Sequence, residues 1–144
     1  MTDLLSVDVR GLANLTGLLE RLNEAVDVEQ VLDEATAILL NRIRTRFLAQ
    51  ENPDGSPWPE SQAARIRRTT GRGGGTLFDT GTLFHSIQGF TNETGVRGIG
   101  TDVPYAPQHQ FGLDGNEERT ILGFSDDDAN IIAALVKRRI DQAT

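Results

Sequence analysis

Apolar residues return at three- and four-residue steps in three stretches of the chain, each a pattern that predicts an amphipathic helix. Leu12, Leu15, Leu18, Leu19 and Leu22 mark the first, from about Leu12 to Ala25, where Gly17 removes about 1 kcal/mol of helix propensity. The second is longer. Its stripe is Val28, Val31, Leu32, Ala35, Ile38, Leu39, Ile43 and Phe47, with Asp27 placed as N-cap and Gln30 placed to complete a capping box. Glu29, Asp33, Glu34, Asn41, Arg42 and Arg46 fall on its opposite face. The third stripe, Ile131, Ile132, Leu135, Val136 and Ile140, follows Ser125 as cap. Asp126, Asp127 and Asp128 open that helix and Lys137, Arg138 and Arg139 close it, so charge is placed to match the helix dipole.

Between the second and third stripes the pattern changes twice. Asn52-Pro53-Asp54-Gly55-Ser56-Pro57-Trp58-Pro59 is turn chemistry through which no helix continues. Trp58 in it reads as a lid packed over the core. Ser61–Arg68 has the makings of a short basic helix, and Thr69–Thr76 has no apolar anchor, so residues 52–76 are expected to form a mobile loop. Trp58, Arg65, Arg67, Arg68 and Arg72 are its candidate partner contacts. The glycine run from Gly71 to Gly75 lacks the Gly-Lys-Ser/Thr ending of a phosphate loop, and no apolar strand precedes it, so nucleotide binding is excluded.

Period two replaces period 3.6 farther on. Ile87–Phe90 and Val96–Gly100 read as paired strands around the turn-rich Thr91–Gly95. Gly89, Gly98 and Gly100 weaken such strands, which suggests a curved sheet or a sheet edge shared between copies. Thr80 is placed to cap a brief helical turn ahead of the hairpin. Tyr105–Phe111 forms a short helix or turn closed by Gly112. The expectation is an α+β fold with N-terminal helices packed on a small, strongly twisted antiparallel sheet and a C-terminal helix. One domain spans 1–144, helical over 10–50 and β-rich over 77–124, with the last helix at 125–142.

Composition narrows the chemistry. Without cysteine the chain has neither disulfides nor a thiolate metal site, which suits folding in a reducing cytoplasm. A net charge of −7 argues against nucleic-acid binding as the main task. The start Met1-Thr2-Asp3-Leu4-Leu5 has neither the basic region of a leader nor the long apolar run of an anchor, so no membrane role is expected. His109 reads as a structural histidine, with only His85 as a possible companion for metal or acid–base work. Ser86 has no elbow glycines and no base spaced to activate it. The three aspartates are explained by the helix start without a cation. No cofactor, metal or catalytic residue is assigned.

Two motifs remain, Phe78-Asp79-Thr80-Gly81-Thr82-Leu83-Phe84-His85-Ser86-Ile87 and Val103-Pro104-Tyr105-Ala106-Pro107-Gln108-His109-Gln110-Phe111-Gly112, separated by the hairpin. Their order resembles the phage virion morphogenesis family, tail-completion proteins of Mu-like phages and their relatives. Its pattern is Leu-x-x-Thr-Gly-x-Leu-x-x-Ser-Ile, a hairpin, then Tyr-Ala-x-x-His-x-Phe-Gly. Asp79, Thr80, Gly81, Leu83, Ser86, Tyr105, Ala106, His109, Phe111 and Gly112 carry the match. Pro107 and Gln108 depart from the family's common Ala-Ile, and Arg119-Thr120-Ile121-Leu122 from its Arg-Pro-Phe-Leu. The resemblance implies a structural virion protein, not an enzyme, that completes the tail and forms part of the head–tail junction. It also implies assembly in the host cytoplasm into a ring, with six copies matching the tail tube. The partners it implies are the tail tube protein and the connector or neck proteins, with DNA passing through the lumen without specific binding, and it implies that Arg119–Phe124 returns to the sheet as a strand. A capsid-assembly or head-completion factor is the nearest alternative. A nucleic-acid-binding module built on Arg65–Arg72 is a more distant one, and a hydrolase or metal enzyme around His85, His109 and Asp79 is the weakest.

Overall fold

The computed structural model describes residues 5–8, 27–71, 75–77 and 81–142. The expected helix Leu12–Ala25, and Arg72, Asp79 and Thr80, lie outside the described residues. The long helix α1, Val28–Ala49, starts where its cap predicts, with the Asp27 carboxylate accepting the N–H groups of Glu29 and Gln30. It ends at Gln50, which turns left-handed at φ 62°. Val31, Leu32, Ala35, Leu39, Ile43 and Phe47 are buried along one side.

Beside α1 lies a three-stranded antiparallel sheet in the order β1-β3-β2, where β1 is Leu5–Asp8, β2 Gln88–Thr91 and β3 Arg97–Thr101. The hairpin β2–β3 falls within one residue of its expected position. Its turn is set by Asn92, whose side-chain oxygen accepts the N–H groups of Thr94 and Val96. The third strand is β1, which pairs Leu5 with Thr101 and Asp8 with Gly98. It is not the segment Arg119–Phe124. That segment stays irregular, and this corrects the expectation that it rejoins the sheet. The backbone N–H groups of Ile121 and Leu122 are taken by a side chain, that of Gln110, instead of a neighbouring strand.

The sheet glycines make room for side chains of the same chain. A Cβ at Gly89 would lie 3.0 Å from the Thr36 methyl on α1, so its absence lets the helix sit close to the sheet. Gly98 faces Phe90 directly across the β2–β3 ladder, and a Cβ there would fall 2.5 Å from the Phe90 ring. Gly98→Val is therefore expected to destabilise the fold by about 1–3 kcal/mol through overpacking. In a denaturant titration Phe90→Ala should recover part of that loss, and additive losses would show that the ring is not what the valine meets.

The last helix, α5 (Asp126–Gln142), packs antiparallel to α1, its first turn beside Arg42 and Arg46 and its last turn beside Glu34. Three shorter helices complete the described chain: α2 (Gln62–Thr69), α3 (Thr82–Ser86) and α4 (Ala106–Phe111). The core joins α1 to Ile87, Ile99, Val103, Ile121, Ile132 and Val136. The polar face of α1 clamps its neighbours. Arg97 of β3, 4% exposed, pairs with Glu29 and Asp33, and Arg139 of α5 forks onto Glu34. No helix among the described residues is long and apolar enough to cross a membrane.

Candidate functional site

The first motif enters the described chain at Gly81, whose φ of 83° is a left-handed conformation that glycine adopts without strain. The N-cap position of α3 falls on Gly81, with no side-chain cap, and so one residue after the threonine expected to fill it. Leu83 is buried. One turn on, the Ser86 hydroxyl donates to the Leu83 carbonyl at 2.6 Å and lies 2.5 Å from the Thr101 hydroxyl at the end of β3. Since the one Ser86 proton goes to Leu83, the Thr101 hydroxyl donates to Ser86 and in turn accepts the Val103 N–H at 3.2 Å. This run of hydrogen bonds joins the first motif to the backbone that begins the second. Ser86 is thereby committed to structure and is not an available nucleophile.

The second motif continues through α4, with Ala106 and Gln110 inward and Gly112 closing it at φ 66°. A Cβ at Gly112 would sit 3.0 Å from the Glu118 backbone nitrogen, so glycine also lets the following loop fold back on the helix. His109 is half-buried. Its ring meets Tyr105 edge-on at 6.2 Å, and its Nδ1 has no hydrogen-bond partner. Burial, and secondarily the Arg119 charge, hold its pKa below the usual imidazole range, which leaves the ring neutral at pH 7. His85 stacks edge-on against Phe84. Among the described residues no three histidine, aspartate or glutamate side chains gather where they could hold a metal ion.

Both motifs open onto one cavity of about 370 Å³. Gly81, Thr82 and Leu83 line it from the first and Tyr105 and His109 from the second. Leu77, Asn116, and Ser61, Gln62, Ala63 and Arg67 at the start and middle of α2 complete it. The wall contributed by α2 is tied down at several points. Ser61 caps α2 by accepting the Ala64 N–H, its own N–H goes to Thr76 Oγ1, and Arg67 donates to the Gly75 carbonyl. Of the candidate contact residues, Arg65 and Arg68 are two-thirds exposed and share Glu60, while Trp58 is 6% exposed and stands edge-on to Phe47 at 5.2 Å. Trp58 therefore anchors the loop in the core and offers no surface to a partner. A larger open cleft, about 790 Å³, lies between Pro53 and the start of α5, with Asp54, Glu118, Asp126 and Asp127 around it.

Three residues that hold this surface were not legible as special. Gln110 binds the backbone of Ile121 and Leu122, and Arg119, 3% exposed, donates to the Pro59 carbonyl. Asp128 is fully buried against Arg42 and Arg46. The nearest sequence signal was the cap spacing Ser125-x-x-Asp128, which the structure realises as a reciprocal pair of hydrogen bonds.

Compared with known proteins, residues 9–141 match the model of the phage virion morphogenesis family. The chain is also 28% identical over 142 residues to tail completion protein S of Escherichia phage P2, covering 89% of this chain and 93% of that protein. No solved structure matches it.

Proposed function

This chain belongs to the phage virion morphogenesis family, and from that premise we propose that it completes the tail of a tailed phage as a structural part of the head–tail junction, assembled as a ring. The observation that carries this reading is how the motif residues are used. Ser86, Gly112 and the buried Leu83 and Ala106 brace a fixed scaffold, whereas Tyr105 and Phe111 stand exposed on its surface. A surface held in shape by its own backbone and studded with aromatics suits contact with other proteins more than chemistry on a substrate. Likeness to a tail completion protein over nearly the whole chain supports the same reading.

In this reading six copies surround the tail axis, one face meeting the tail tube protein and the other the connector or neck. The acidic cleft at Asp54, Glu118, Asp126 and Asp127 adds to a net charge of −7. That charge suits a lumen through which DNA slides without sticking.

Electron microscopy of lysates from phage lacking the gene, with a complemented control, tests the proposal. Filled heads beside separate or overlong tails are the expected result. Missing or malformed heads would move the role to capsid assembly, and normal infectious particles would overturn the structural reading.

A further inference from the structure

We propose that the free chain pairs with a second copy of itself along the open edge of β2, the two strands running antiparallel about a two-fold axis that passes between their Phe90 residues. The pairing is independent of the ring reading, since a two-fold contact joins like to like and does not propagate around a tail axis. The edge follows from the ladder. Asn92 donates its N–H to the Val96 carbonyl, which makes that pair, and with it Phe90–Gly98 and Gln88–Gly100, the hydrogen-bonded pairs of the hairpin. The backbone groups of the alternate residues, Ile87, Gly89 and Thr91, therefore point away from β3. Those of Ile87 are in use: its carbonyl accepts Arg44 of α1 at 2.7 Å and its N–H goes to the Phe84 carbonyl. Gly89 and Thr91 are exposed, and among the described residues no hydrogen bond reaches their outward N–H and C=O groups. Two donors and two acceptors thus stand open. No side chain of the kind that guards an edge protects them, because residues 88–92 hold neither a charge nor a proline.

This pattern is its own complement. Setting Gly89 opposite Thr91 of a second, antiparallel β2 uses every open group in four new hydrogen bonds. A register with Gly89 opposite Gly89 would face Thr91 with Ile87, whose groups are already taken, and one with Thr91 opposite Thr91 would face Gly89 with the turn. In the matching register Phe90 falls opposite Phe90 of the second copy as a non-hydrogen-bonded pair, the arrangement that brings cross-strand side chains closest. The Phe90 ring is half-buried over Gly98, so part of it remains open to that second ring. Charge agrees with the hydrogen bonds. Position 87 of one strand meets position 93 of the other, so Arg44, held at the Ile87 carbonyl, comes beside Glu93 of the second copy. Neither has an ion-pair partner among the described residues, while Glu29 and Asp33, the other anions at the turn end, are both taken by Arg97. By symmetry the Arg44–Glu93 contact forms twice, which favours a second copy over an unrelated strand.

Sedimentation equilibrium of the purified chain should show a monomer–dimer equilibrium. Glu93→Arg changes an exposed turn, sets arginine beside Arg44 at both contacts, and should raise the dimer Kd by about tenfold. Arg44→Glu should do the same. An equimolar mixture of the two variants should restore dimers, because the mixed pair brings opposite charges together at both contacts. Thr91→Pro removes one open N–H from each strand without touching the ladder to β3, and should weaken the dimer as well. Register is read with single thiols, since the chain has none of its own. Oxidised Phe90→Cys should give a disulfide-linked dimer, whereas Gln88→Cys should not, its mate lying about 14 Å away along the strands. Where Arg44→Glu or Phe90→Cys does not fold, Glu93→Arg and Thr91→Pro decide the matter. Dimers that persist in both would place the interface elsewhere and refute the pairing. A chain that stays monomeric at high micromolar concentration would refute it too, and links through Gln88→Cys in place of Phe90→Cys would overturn the register.

Discussion

Replacing Asp128 with alanine is expected to lower the stability of the folded chain by about 3–5 kcal/mol, the cost of removing one partner from a buried ion pair. Asp128 has no exposed surface, and its carboxylate accepts hydrogen bonds from Arg42, from Arg46 at 2.7 Å and from the Ser125 N–H at 2.9 Å. Both arginines stand near the end of α1, so one carboxylate at the start of α5 fixes the two long helices against each other. Its loss leaves Arg46, 12% exposed, facing the site without an anion. The urea midpoint should fall sharply, with the slope of the transition little changed. Asp128→Asn keeps the shape and should cost less, because an amide oxygen can still accept from Ser125.

The same carboxylate gives the fold an acid-sensitive component. Burial by itself would raise the Asp128 pKa, but the hydrogen bonds from Arg42, the Ser125 backbone and Arg46 outweigh it and hold the group below the usual carboxylate range. A pKa lower in the folded than in the unfolded chain contributes stability that is complete above the unfolded value, about 3.9. That contribution is lost as pH falls through the folded value. Below about pH 4 the native chain should therefore lose stability more steeply than Asp128→Asn. Parallel acid slopes in the two proteins would show that Asp128 does not carry the effect.

Why Asp128 could not be singled out from sequence follows from what sequence patterns encode. The stripe of α1, the Asp27 cap, the hairpin and the Gly112 stop are local: each depends on residues within a few positions of one another, and each was legible. Pairing across the fold is not local. Nothing between Leu5 and Asp8 marks those residues as the partner of Arg97–Thr101, because a four-residue strand is specified by the edge it finds. Likewise the charged face of α1 reads as solvated until Arg97, Asp128 and Arg139, which are 64 or more positions away, are brought against it. The two motifs were visible as patterns, but their meeting at one cavity depends on the hydrogen bonds through Ser86 and Thr101. The arginines of α2 were visible as a charge cluster, whereas the burial of Trp58 beside Phe47, which holds the preceding turn in place, needed the tertiary fold.

Gln110→Leu should cost about 3 kcal/mol although it exchanges one buried side chain for another of similar volume. The glutamine lies inside α4 with both ends of its amide in use. Oε1 accepts the N–H groups of Ile121 and Leu122 at 2.8 and 2.9 Å, and Nε2 donates to the Leu122 carbonyl at 2.7 Å. Leucine would leave three buried backbone groups unpaired at about 1–3 kcal/mol each, less whatever entering water restores. The damage should be local first. Amide hydrogen exchange at Ile121 and Leu122 should accelerate by about a hundredfold while the hairpin amides of β2 and β3 stay protected. Unchanged protection at those two amides would mean that Gln110 is not their support. The consequence for assembly follows from what the supported segment holds. Thr120 donates its N–H to Asn52 and Arg119 donates to the Pro59 carbonyl, so residues 119–122 carry the loop that leads into α2 and the cavity wall. A Gln110→Leu protein that remains folded at 25 °C yet fails to complete particles would show that the position of that wall, and not the bulk stability of the domain, is what assembly reads.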